Sequence, residues 1–407
     1  MKHSFLSLYA LSLALTLSSC TVEIREDQDI ATQNQNPTPP SSEGIMQGSG
    51  TLSGTITKDL LIKKGNYQLE GVVKVTDGVT LTIEAGAKFT ANSAMGSSLV
   101  ILQGAKINAQ GTAEQPIVFT SDHQTPGDWG GITLYGKAPI MASNGATTAI
   151  SEDGNNLSYG GNDPADSSGV MKFVRVEYGG KKIGDGKSET NSMTFYAVGA
   201  STVLENLVSY KGTDDGYEFF GGTVSANNLV SYGNFDDAFD WQDGWAGLNN
   251  TNWYAYQTKI GNFGMEIEAS ANKDNTAPKI NGITLIREAN TTPEKEGSAE
   301  ISAIQFKKQG SGIFKNVYIN GYQDMGGQKA YAVLIQDEDT QKNQVESGKI
   351  SVSPIQVLHS SHPDTWGYAF GFNQPKAITQ DPNVTKVKMV SGAWAIVDGV
   401  DLLKGLQ

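Results

Sequence analysis

The chain has 407 residues, 38% of them hydrophobic and 18% charged, with 47 glycines and a formal net charge of −13. The glycine excess and the scarcity of 3.6-residue periodicity exclude a helical protein and favour many turns and short strands. A surface of that charge repels nucleic acid, and a single cysteine, Cys20, rules out an intrachain disulfide and a Cys-based zinc site.

The chain opens with "MKH", a short basic segment, and "FLSLYALSLALTL", an apolar run too short for a comfortable membrane span. "LSSC" follows and resembles the lipobox of bacterial lipoproteins. That resemblance implies a signal peptide over residues 1–19 and acylation of Cys20, which anchors a protein to a membrane without threading it through. Residues 20–50 are polar, rich in Pro and Ser and without apolar period, as a flexible tether is. Glu23, Glu26 and Asp27 behind the cysteine resemble the signal that sends Bacteroidetes lipoproteins to the outer face of the outer membrane. The expected location is therefore the cell surface.

Strand-like stretches of four to eight residues fill 51–365, among them "GVTLTIEAGAKFTA", "SLVILQGAKINAQG", "MKFVRVEYGG", "STVLENLVSY", "TVSANNLVSY" and "SGIFKNVYINGY". "ENL", "NNL", "NGI" and "KNV" recur just before an apolar step. An antiparallel sandwich would place two-residue hairpin signals between strands. Only Thr76–Val79 and Ile280–Ile283 qualify. The pattern predicts an all-β parallel β-helix, each coil made of short strands stacked on the next. Residues 138–169, 287–300 and 336–349 read as insertions at the coil corners, and 366–407 as a C-terminal cap over the open end.

"LTIEAGAKF", "LQGAKINAQGTAEQPIVFTS", "PGDWGGITLYGKAPI", "GGNDPADSSG", "VRVEYGG" and "DDGYEFFGG" together resemble a family of Bacteroidetes outer-membrane lipoproteins of the pectate-lyase-like superfamily. The resemblance covers roughly residues 52–330. It implies a right-handed parallel β-helix and carries over no catalytic residue.

The chemistry concentrates in a repeat. "LVSYKGTDDGYEFFGG" from Leu207 returns 22 residues later as "LVSYGNFDDAFDWQDGW" from Leu229. The shift brings Asp236 onto Asp214, Asp237 onto Asp215, Asp240 onto Glu218 and Trp241 onto Phe219, while Asp243 falls on Gly221. If 22 residues make one coil, matched carboxylates lie about 4.8 Å apart and repel by roughly 3–4 kcal/mol at an effective dielectric near 20. Three arrangements relieve that repulsion: splaying into water, sharing protons, or holding a cation. Hard oxygen donors suit Ca²⁺ better than a transition metal. The candidate metal ligands are Asp214, Asp215, Glu218, Asp236, Asp237, Asp240 and Asp243.

Aromatic residues crowd the same region. Side chains alternate along a strand, so Phe219 and Phe220 cannot both point inward. Some of the set is expected to be exposed, and Trp241, Trp245 and Trp253 are the candidate glycan platform. Polysaccharide lyases of this fold use Ca²⁺ with a Lys or Arg base, for which Lys211, Lys259 and Arg287 are weak candidates. A lysine among carboxylates is held protonated, which argues against that role.

"GGKKIGDGKS" lacks phosphate-loop spacing, and "HSSHPD" at His359 reads as a turn. "GDWGGI" reads as Trp129 packed where glycine lets backbones approach. Asp163 and Asp166 are either further ligands or Asx-turn residues. The sequence thus favours a calcium-stabilised, non-enzymatic surface binding module for a glycan or an outer-membrane partner such as a transporter. A calcium-dependent polysaccharide lyase or other carbohydrate-active enzyme, and a purely structural or adhesive protein, are the alternatives.

Overall fold

The computed structural model describes residues 44–183, 188–271, 273, 276–362 and 378–407. The signal peptide, Cys20 and the tether lie outside the described residues, as do Pro363 and Asp364 of the histidine motif.

The body is an all-β parallel β-helix. Every named pairing among its coils is parallel, with register shifts in the first and last pairs, and successive coils form three ladders, here called faces A, B and C. Val203–Tyr210, Ala226–Tyr232 and Asn250–Gln257 are long strands that bend once and serve faces A and B. The bend is a single residue with positive φ: Asn206, Asn228, Asn252 and Asn316, each near +55°. Asparagine tolerates this left-handed conformation better than most residues. Stacked asparagines also bond to one another, with Asn228 Nδ2 donating to Asn206 Oδ1 at 3.0 Å and Asn252 Nδ2 donating to Asn228 Oδ1 at 2.9 Å. The recurrent "N" before an apolar step is therefore the corner of the coil. Gly282, at φ 88°, occupies the same corner, so the Ile280–Ile283 segment is a coil bend and not a hairpin.

The interior is one continuous apolar column running from Met46 to Ile355. Aromatic rings stack up its axis, as in Tyr67–Phe89–Phe119 and Phe195–Phe219–Trp245. Trp129 is fully buried and donates its indole N–H to the Glu177 carbonyl at 2.8 Å. A Cβ on the nearby Gly131 would stand 2.3 Å from the Asn191 carbonyl oxygen, so close approach of the backbones requires glycine there.

The edges differ from the sequence expectation. The solenoid begins at Ile45, ahead of residue 51. Of the expected C-terminal cap over 366–407, the described part begins at residue 378. Ile378–Gln380 extends the last coil, and the chain then doubles back along the outside of face B. Its Trp394 N–H donates to the Ala113 carbonyl at 3.0 Å, and Arg175 holds the Ala393 and Trp394 carbonyls at 2.8 and 3.1 Å. The reason is compositional. The outward rows of face B carry Val208, Tyr210, Val230, Tyr232, Tyr254 and Ile286, which need cover more than the end does.

The 138–169 insertion forms a small hairpin, Ala149–Ile150 with Ser158–Tyr159, and packs Ile140 and Tyr159 over Tyr196 and Phe220. Asp163 and Asp166 are turn residues: their carboxylates accept the Ala165 and Lys137 N–H groups, both at 3.0 Å. Residues 338–345 form a short helical excursion.

Candidate cation-binding cleft

Face C carries the acids. Tyr217–Phe220, Phe239–Gln242, Met265–Glu268 and Ile304–Lys307 stack with Glu218 on Asp240, Asp240 on Glu266 and Glu266 on Gln305. Period-two alternation sends Phe219, Trp241 and Ile267 into the core and these polar residues outward.

The turn leading into face C is built by a second stack. Asn191 Oδ1 accepts the Asp215 N–H at 3.3 Å, Asp215 Oδ1 accepts the Asp237 N–H at 2.9 Å, and Asp237 Oδ1 accepts the Phe263 N–H at 2.7 Å. Asp215 and Asp237 therefore tie each coil to the next, whatever else they do.

Outward of this turn lies a cleft of about 260 Å³. Its walls include six of the seven sequence candidates: Asp214, Asp215, Glu218, Asp236, Asp237 and Asp240. Glu152 from the insertion, Glu266, Glu268 and Glu300 raise the carboxylates to ten among the described residues, which place one cation, Lys307, on the same wall. Ligand oxygens fall into three close trios: Asp214–Asp215–Asp236, Asp215–Glu218–Asp240 and Asp237–Asp240–Glu266, each within 4.8 Å.

Their partners are unequal. Glu218 accepts hydrogen bonds from Asn191 Nδ2 at 2.5 Å and Gln242 Nε2 at 3.1 Å. Asp236 accepts one from Asn262. Lys307 Nζ lies 2.5 Å from Glu266 and 3.3 Å from Glu268. Asp240 is 9% exposed, and its Oδ1 is buried with no hydrogen-bond partner among the described residues. A buried carboxylate oxygen without a donor is an expensive arrangement unless something else satisfies it.

The electrostatics follow. Burial, reinforced by the neighbouring carboxylates, pushes Asp215, Glu218, Asp237 and Asp240 well above the usual carboxylate range. Burial pushes Asp236 up to about 7, against the pull of the Asn262 donor. Burial pulls the Lys307 ammonium down, but Glu266, Asp240 and Glu268 outweigh it and hold the group well above the usual lysine range.

Other candidates land elsewhere. Asp243 is separate: its carboxylate accepts the Tyr159 hydroxyl, and its N–H donates to Ser270 Oγ at 3.2 Å. Trp241, Trp245 and Trp253 are 2%, 1% and 0% exposed and stack within the core, so none presents a glycan platform. Phe220 does point outward, as alternation requires, but the insertion covers it. Lys211 stands beside the Tyr210 ring, 4.9 Å from its centroid, and Lys259 is exposed; neither lines the cleft. Arg287 is buried and donates to the Asn262, Gly261 and Thr291 carbonyls, which makes it the brace of a loop and not a base.

Glu266, Glu268 and Lys307 escaped a search at fixed 22-residue spacing because longer turns intervene. The strand pattern of "GMEIEA" matches "AFDWQD" at a 26-residue shift, the offset by which Glu266 sits on Asp240. A second pocket of about 430 Å³ adjoins the cleft, sharing Phe263, Glu266, Glu300 and Lys307 as its wall. It is lined further by Gln328, Lys329, Tyr331 and Gln305, whose Oε1 is buried and unpartnered.

Carboxylate oxygens gathered this closely are a donor set that would suit a hard cation. The family model described as a pectate-lyase like beta helix domain matches residues 54–393. No curated protein and no solved structure matches the chain.

Proposed function

Since the chain belongs to the pectate-lyase-like β-helix domain family, we propose that it is a non-enzymatic, calcium-loaded carbohydrate-binding module. It is held at the cell surface by acylated Cys20, as an outer-membrane lipoprotein of the Bacteroidetes type. Its coil is right-handed, as parallel crossovers almost always are. The observation that carries the reading is Asp240, buried in a ten-carboxylate cleft with an oxygen that finds no donor. Asp214, Asp215, Glu218, Asp236 and Asp240 are the residues that would hold Ca²⁺, which supplies charge neutralisation and open positions for ligand oxygens. The adjoining pocket, with Gln305 and Gln328 on its wall, offers amide groups suited to sugar hydroxyls. An outer-membrane transporter is a natural partner for a glycan binder on such a tether.

Calcium titration followed by calorimetry tests the reading. We expect calcium to bind, Asp240→Asn to weaken it at least tenfold, and acidic oligosaccharides to bind only in calcium. Absence of calcium binding would overturn the cation claim.

The fold also accommodates a polysaccharide lyase. Its elimination needs a neutral base beside the cation, and Lys307, the one basic residue lining the cleft among the described residues, is held protonated by its carboxylate partners. Unsaturated-uronate absorbance appearing on polyuronates with calcium, at neutral or alkaline pH, would replace the binding-module reading by the enzymatic one.

A further inference from the structure

We propose that the pocket adjoining the cleft binds an N-acetylated amino sugar, with the acetamido N–H donating to Gln305 Oε1 and the acetamido methyl seated against Phe263, Tyr331 and Leu334. The inference rests on the carbohydrate-binding reading and names the sugar class for this pocket.

The outward row of face C changes chemistry from coil to coil. It reads Glu218, Asp240, Glu266, Gln305 and Leu334, one residue per coil. Carboxylate gives way to amide and amide to alkyl within two rungs, about 10 Å at ordinary strand spacing. The pocket of about 430 Å³ opens over that change, whereas the acidic cleft stops short of Gln305. Phe263, Tyr331 and Leu334 form a small buried apolar cluster of their own, separate from the central column. Tyr331 packs on the His362 ring at 5.1 Å, and His362 Nε2 lies 3.0 Å from Asp324, so this wall is set before a ligand arrives.

Gln305 is 4% exposed, and among the described residues its Oε1 has no donor. An acceptor buried in that way calls for an N–H or O–H from a ligand. Charge restricts the choice. Among the described lining residues Glu266 and Glu300 are matched by Lys307 and Lys329, so the wall is formally neutral and selects no ion. A hydroxyl alone would satisfy Gln305 and leave the apolar cluster facing water. An alkyl chain would cover the cluster and leave Gln305 orphaned. An acetamido group carries an N–H donor and a methyl on either side of one carbonyl and meets both demands together. Gln328 and Gln336 on the same wall offer amide donors to that carbonyl and to the ring hydroxyls.

Calorimetry and saturation-transfer NMR on the folded chain in chelator test this. The probes are disaccharides of N-acetylglucosamine and N-acetylgalactosamine, each against its parent disaccharide lacking the acetamido groups. We expect at least one acetylated disaccharide to bind at least tenfold tighter than its parent, with the acetamido methyl most strongly saturated. Gln305→Leu removes the acceptor at similar volume. It should weaken that binding at least tenfold while the chain unfolds at its wild-type temperature or above. Leu334→Ala should narrow the preference over the parent, and Asp240→Asn should leave binding unchanged. A loss in Asp240→Asn would place the sugar in the cleft and overturn the assignment. So would equal affinity for acetylated and parent sugars, or full affinity in Gln305→Leu, with carbohydrate binding left intact. An N-acetylated amino-acid amide that binds as tightly as the sugars would overturn it in favour of a peptide. Failure of every disaccharide and of acidic oligosaccharides, with and without calcium, would overturn the carbohydrate reading as well.

Discussion

Asp237 donates its backbone N–H to the Asp215 carboxylate one coil earlier, at 2.9 Å. The same aspartate that faces the cleft thus also holds the turn above it. Asp215→Asn keeps an oxygen acceptor and removes a charge, whereas Asp215→Ala orphans the Asp237 N–H. We expect Asp215→Ala to cost about 1–3 kcal/mol and Asp215→Asn, in chelator, to cost little or to stabilise. Denaturant unfolding of both variants decides it. Equal losses would mean that the side-chain acceptor is irrelevant.

The pH dependence has a definite sign. Asp215, Glu218, Asp237 and Asp240 are all raised by burial, and Asp236 is raised to about 7. Above the ordinary carboxylate value of about 4, the unfolded chain has released protons that the folded cleft still holds. Stability therefore falls as pH rises from that value through about 7 and beyond. In chelator, Tm should drop between about pH 5 and pH 8. Calcium should flatten the curve by replacing protons. A Tm in chelator that climbs over this range would contradict the assignment.

Asn228 sits at φ 56° and bonds to asparagines on both sides. Asn228→Ala retains the strained backbone without either bond, and a loss of about 2 kcal/mol is expected. Asn228→Gly relieves the strain and should recover part of that loss. Thermal unfolding of the pair tests whether the corner or the ladder matters more.

Trp394 is fully buried against Phe173 and face B, with its indole N–H on the Val390 carbonyl at 2.9 Å. Trp394→Ala should cost about 3–5 kcal/mol. It should also expose the tyrosine rows to hydrophobic dye. A variant that melts like the wild type would show that this segment is dispensable.

The parallel β-helix was legible because a β-helix writes its geometry into spacing. "LVSY" recurring with "DD" placed Glu218 on Asp240 and Phe219 on Trp241, as the ladders bear out. The acid gathering was legible for the same reason. What stayed hidden depends on length variation and on long-range cover. Glu266 follows a longer turn, Glu152 arrives from an insertion, and Lys307 comes after an intervening loop of residues 288–300. The tryptophans were misread because a strand pattern says which residues share a face but not which face is inside. Nor does local sequence show that residues 384–407 lie along a flank, since their partners are more than 100 positions away, at Thr284 and Glu288, and more than 200 away, at Arg175 and Ala113.

That return path alters how the molecule comes apart. A simple stack of repeats can fray from either end, losing one rung at a time. Here the tail is stitched at Trp394 to the Ala113 carbonyl, near the start of the coil, and again at Lys404 to Glu288. The seam makes distant rungs share one fate. Heat should therefore melt the solenoid in a single step, and a pull on the C-terminus must first unpick the seam before any turn can unwind.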